Sequence, residues 1–102
     1  MRSIRISQTF STELAALLRQ GMLRFGSDVI AEKQQHILDT INNFLALYPR
    51  RPVDPILSIC TFPVRNAPFV ILYDFDDRDL RIHLIIHEKT DRTLIDLTKV
   101  EW

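Results

Sequence analysis

Three prolines between Pro49 and Pro55 divide the chain into two halves with different hydrophobic periods. Proline has no amide hydrogen, and its ring restricts the residue before it, so no helix that begins upstream continues through this stretch. Ahead of it, Phe10, Leu14, Leu17, Leu18, Met22 and Phe25 recur every three or four positions. Ile30, Gln34, Ile37, Leu38, Ile41, Leu45 and Tyr48 do the same after Gly26. Each set marks one face of a helix. Beyond the prolines the apolar residues come in short runs rich in Val, Ile and aromatics, separated by polar turns, which is the pattern of strands.

The boundaries follow from local chemistry. Arg2 to Ser7 alternates polar residues with Ile4 and Ile6 and reads as a short strand. Ser7, Thr9 or Ser11 offers a capping oxygen to the first helix, and Gly26, tolerant of the left-handed conformation, stops it. Ser27 or Asp28 starts the second helix, which runs to Pro49. Ile56 to Phe62 reads as a strand ending at the turn formers of Pro63 to Pro68. Phe69 to Phe75 is apolar on both parities, so it belongs in the middle of the sheet with both sides covered. Asp76 to Asp79 has the length and polarity of a hairpin turn.

In the strand that follows, Leu80, Ile82, Leu84 and Ile86 fall on one face and Arg81, His83, Ile85 and His87 on the other. One face is expected to pack and the other to be available. The tail from Leu94 to Trp102 holds Leu, Ile, Val and Trp, which are costly to leave in water, so it docks on the body or on a partner. The expected fold is α+β: an N-terminal strand and a two-helix hairpin packed on a mostly antiparallel β-sheet, as one domain over residues 1–102.

Composition narrows the function. No apolar run approaches the roughly 20 residues of a membrane helix, and the N-terminus shows no export signal, so a cytoplasmic protein without membrane partners is expected. Cys60 is the single cysteine, which excludes an internal disulfide and a thiolate metal cluster. Thirteen basic residues balance thirteen acidic ones, so any nucleic-acid contact must be local. His83 and His87 are four strand residues apart, about 13 Å on a shared face, too far for one ion. There is no glycine-rich phosphate loop. Neither a metal nor a cofactor is expected.

Three passages resemble the RelE/ParE superfamily of toxins from type II toxin–antitoxin systems. Phe10 to Leu18, Phe25-Gly26 and the helix ending Leu45-Ala46-Leu47-Tyr48-Pro49 look like its helical hairpin. Pro68-Phe69-Val70-Ile71-Leu72-Tyr73 with the acidic turn after it is similar to its central strand, and Leu84-Ile85-Ile86-His87 with Arg92 to its last strand. The resemblance covers nearly the whole chain and rests on the order and spacing of these passages. It implies a growth-inhibiting toxin neutralised by a cognate, partly disordered antitoxin that folds as it binds. It further implies one of two targets: DNA gyrase, inhibited without RNA cleavage, or the ribosome, where mRNA is cut by an endoribonuclease. Fold alone does not choose between them.

RNA cleavage needs a base for the 2′-OH, a cation for the phosphate and an acid for the leaving oxygen. Arg65 matches the arginine that ribonuclease members carry before the central strand, and His87 offers an imidazole, a side chain suited to acid or base work. Arg92 or Tyr73 would assist. A solvated arginine and a rim histidine are the equally weighted structural readings, Tyr73 is expected in the core, and Arg81 and His83 as plain exposed residues. Ribonuclease members place lysines, a glutamate or a histidine on the strand corresponding to Ile56 to Phe62, which here has none. This tilts the expectation toward gyrase, with the ribosome as the alternative and a catalytically silent interaction domain as a third reading.

Overall fold

The computed structural model describes residues 2–102, apart from the side chains of residues 22–25, so the expected roles of Met22 and Phe25 lie outside the described residues. Strand β1 (Ser3–Ile6) leads into helices α1 (Gln8–Phe25) and α2 (Ser27–Asp39), and α2 widens into a π-helical segment over Thr40–Leu45. Strands β2 (Cys60–Pro63), β3 (Phe69–Phe75) and β4 (Asp79–His87) follow. The sheet has four strands in the order β1-β4-β3-β2, with β1 parallel to β4 and the other pairs antiparallel. This is the expected α+β architecture.

Ser7 is the cap of α1. Its hydroxyl accepts from the Phe10 N–H at 2.8 Å and donates to the His83 carbonyl at 2.6 Å, and the residue is fully buried. The Gln8 and Thr9 N–H groups donate to the Glu101 carbonyl, so the end of the chain satisfies donors that the first turn of a helix leaves without partners. Gly26, with φ 83° and ψ 167°, joins the helices in an extended conformation of positive φ that is essentially reserved for glycine.

The second helix was expected to reach Pro49 and instead ends at Leu45. Thr40 Oγ1 donates to the His36 carbonyl at 2.8 Å, competing with the backbone ladder where the helix widens. The widening changes the helical phase: Leu45 and Ala46 are both buried, while Phe44, Leu47 and Tyr48 face outward. The strand expected over Ile56 to Phe62 is also shorter. Asp54 Oδ1 accepts from the Ile56 and Leu57 N–H groups at 2.8 and 3.0 Å and folds them into a turn, Ser58 adopts φ 55°, and only Cys60–Pro63 pairs with β3.

The alternation expected along β4 breaks at His83. Leu72 pairs with Leu84 and Tyr73 with Ile82, which leaves His83 as the extra residue of a β-bulge. The bulge reverses parity. Leu80, Ile82 and Ile85 therefore join the core between helices and sheet, with Phe10, Ile37, Ile41 and Tyr73, while Leu84 and Ile86 join a second cluster on the opposite face. That second face is not available, contrary to expectation. Ile95, Leu97 and Val100 of the tail, together with Leu57, cover Leu72, Val70 and Ile59 there. The tail keeps its shape through two Asp-x-Thr turns in which Asp91 and Asp96 accept from the backbone N–H and hydroxyl of Thr93 and Thr98. These bonds hold both carboxylates below the usual carboxylate range.

Candidate functional site

Arg65 sits on the turn between β2 and β3. The buried Val64 anchors this turn, its N–H donating to the Phe69 carbonyl at 2.8 Å, and Asn66 closes it with φ 59°. An anchor on one side and a left-handed residue on the other leave the Arg65 side chain exposed. It borders a shallow depression of about 280 Å³ whose other wall is α2, with Glu32, Lys33 and His36. His87, the last residue of β4, pairs with Phe69 and borders a second depression of about 180 Å³ against Leu17, Leu18 and Gly21 of α1. Lys33 lines both. The fold thus brings Arg65 and His87 to one end of the sheet, either side of Lys33.

Lys33 was not singled out from the sequence. The signal was present in its position three residues after Ile30 and four before Ile37, at the margin of the apolar stripe. His87 Nδ1 accepts the Lys89 N–H at 3.1 Å, which leaves Nε2 as its remaining ring nitrogen. A strip of Arg65, Lys33, His36 and His87 offers cationic and imidazole groups to a phosphate, and Glu32 adds one carboxylate. Gly21 lets the helices approach closely here, since a Cβ at that position would meet Ile30 Cδ1 at 2.7 Å.

Arg92 is not part of this strip. Its Nη1 donates to the Thr90 carbonyl at 2.8 Å and to the Glu88 carbonyl at 3.4 Å, and its Nε lies 3.5 Å from Asp54 Oδ2. It ties the corner after β4 to the turn before β2. Hydrogen bonds from the Leu57 and Ile56 N–H groups, with Arg92 nearby, hold the Asp54 carboxyl below its ordinary range despite partial desolvation. Tyr73 is a core residue: it is fully buried, its hydroxyl donates to the Pro49 carbonyl at 2.6 Å, and burial pushes its phenol well above the usual range. Burial also pushes the Cys60 thiol up, away from thiolate chemistry.

Arg81 and His83, expected as plain exposed residues, form a half-buried polar cluster on the tail side of the sheet, in which His83 Nδ1 is buried without a hydrogen-bond partner. Arg81 Nε contacts Asp74 Oδ1 at 2.8 Å and Nη1 contacts Asp76 Oδ2 at 2.9 Å, while His83 Nε2 lies 3.1 Å from the same Asp74 oxygen. The Arg81 bond, aided by the Asp79 and Arg78 N–H groups, lowers the Asp76 carboxyl to about 2. The Trp102 ring meets the edge of His83 at 4.8 Å and lies 5.7 Å from the Arg5 guanidinium, closing the tail over this cluster. His83 and His87, expected to share a face, lie on opposite faces because of the bulge. Among the described residues no group of three or more His, Cys, Asp or Glu is arranged to hold a metal ion.

No family model matches the chain, and no curated protein matches it. Among solved structures, it is similar to a chain of the chromosomal ParDE TA system from P. aeruginosa, with a TM-score of 0.74 at 14% sequence identity. The similarity covers 85% of this chain and 96% of that one. The two chains share a fold. At this identity the likeness is one of architecture, and the candidate site residues must be judged by their own geometry. No described helix is long and apolar enough to cross a membrane.

Proposed function

We propose that this chain is the toxin of a type II toxin–antitoxin system, held inactive by a cognate antitoxin and acting in the cytoplasm on an essential target, with DNA gyrase preferred. The observation that carries the toxin reading is the near end-to-end match in fold to a ParDE chain. The preference for gyrase is supported by what strand β2 lacks. Strand β2 is Cys60-Thr61-Phe62-Pro63, with no lysine, glutamate or histidine to move a proton. Arg92, a candidate assistant in catalysis, has its guanidinium engaged by two carbonyls and Asp54.

The ribosome-dependent endoribonuclease remains the second reading, favoured by one arrangement: Arg65 and His87 flank Lys33 at a single end of the sheet. Induced expression without antitoxin tests the toxin reading, and unchanged growth refutes it. Inhibition of supercoiling by purified gyrase in the presence of the purified chain is the expected result. Fresh codon-spaced mRNA ends in primer extension, with supercoiling intact, would replace gyrase by the ribosome.

A further inference from the structure

Where the π-helical segment ends, the surface becomes both aromatic and basic. The Arg51 guanidinium lies 4.7 Å from the Phe44 ring centroid and 5.4 Å from that of Phe62, and Phe44 is tilted against Tyr48 at 5.8 Å. Tyr48, Leu47 and Phe44 are 62%, 50% and 39% exposed, so three large apolar side chains meet water in one place. Next to them, Arg2, Arg50 and Arg51 line a depression of about 360 Å³ with Leu47 and Tyr48. Among the described residues none of these arginines forms an ion pair: Arg2 Nε donates to the Asp76 carbonyl and Arg51 Nη1 to the Arg50 carbonyl. Although the whole chain has no net charge, this patch is cationic.

We infer that this patch is the docking surface for an acidic, apolar-bearing segment of a partner protein, which on the reading above is the antitoxin. Exposed tyrosine and arginine around an apolar centre are the composition of an interface hot spot. Unpaired guanidiniums call for carboxylates, and the fork of each arginine matches a carboxylate in bidentate fashion. Single-stranded nucleic acid is the other polyanion to weigh. It needs open aromatic faces on which bases stack. Here Arg51 already covers Phe44 and Phe62 and Leu47 offers no π-face, which leaves Tyr48 as a single open ring where a strand needs successive ones, so the surface favours carboxylates set among apolar side chains.

The test uses the full chain and the protein encoded by the neighbouring gene, with affinity measured by calorimetry at two salt concentrations. Arg50→Glu and Tyr48→Ala are the primary variants, because no side-chain ion pair or hydrogen bond of the described fold depends on them. Arg51→Glu is added once its melting temperature matches the parent. Arg50→Glu with Arg51→Glu is expected to weaken binding at least 30-fold and flatten its salt dependence, and Tyr48→Ala at least 10-fold. Reversing an acidic residue of the partner to lysine should recover part of the loss. Affinities within threefold of the parent overturn the surface while leaving the toxin reading standing. Intact binding with lost growth arrest also overturns it, by giving the patch to the target. Tighter binding of an oligo-dT or oligo-U strand that the same variants abolish overturns it in favour of nucleic acid. A parent chain that binds no neighbouring-gene protein and arrests no growth overturns both this inference and the reading it rests on.

Discussion

Replacing Ser7 with alanine removes one hydroxyl that serves both α1 and β4. Ser7 Oγ accepts the Phe10 N–H at 2.8 Å and donates to the carbonyl of His83, the bulged residue, at 2.6 Å. Loss of a serine cap costs about 1 kcal/mol. Leaving the bulge carbonyl without its donor, beside the fully buried Ser7, adds about 1 to 2 kcal/mol. The expected total is about 2 to 3 kcal/mol, a substantial part of the stability of a domain this size. With a urea m-value of about 1.5 kcal/mol/M the midpoint falls by roughly 1.3 to 2 M. In thermal melts the shift is on the order of 10 to 20 °C. Ser11→Ala is the control: its exposed hydroxyl reaches the Ser7 carbonyl only at 3.5 Å, so it should stay within about 0.5 kcal/mol of the parent. If Ser7→Ala also stays within that margin, the hydroxyl does not couple helix and bulge as argued.

Tyr73→Phe strands the Pro49 carbonyl in the core and should cost about 1 to 2 kcal/mol in chemical denaturation, with no cavity to confuse the result. Gly26→Ala forces a side chain into a positive-φ extended conformation and should cost about 1 to 3 kcal/mol by the same measurement. Asp76 has a folded pKa of about 2, below its unfolded value of 3.8, so its contribution is complete above about pH 4 and is lost as the pH falls toward 2. An acid titration followed by circular dichroism should therefore show a shallower loss between those limits for Asp76→Asn than for the parent. Truncation after Thr93 removes Ile95, Leu97 and Val100 from the second core, at about 1 kcal/mol for each half-buried side chain, and should yield a less stable, self-associating protein in size-exclusion chromatography.

Much of the candidate site could be anticipated residue by residue, but not as a place. Arg65 was legible as a turn residue, because the turn formers around it are local chemistry. His87 was legible as the end of a strand, from alternation and the polar residues that follow. Their approach to Lys33 was not, since it depends on how α2 crosses the end of the sheet, a matter of packing over long sequence separations. Arg92 was legible by residue type, but its surroundings were not. Only the folded chain sets Asp54 beside it.

By itself the amino-acid sequence determined the element types, the helical hairpin, the central position of Phe69–Phe75 and the hairpin turn at Asp76–Asp79, because period, capping and proline act within a few residues. The tertiary structure decided the rest. A hydroxyl from Ser7 and the register against Tyr73 made His83 a bulge, which sent Ile85 inward and Leu84 to the other face. The tail then found that apolar face and closed it, and its Glu101 carbonyl completed the start of α1. A bulge and a docked tail are stabilised by partners dozens of residues away, so no local pattern could have announced them.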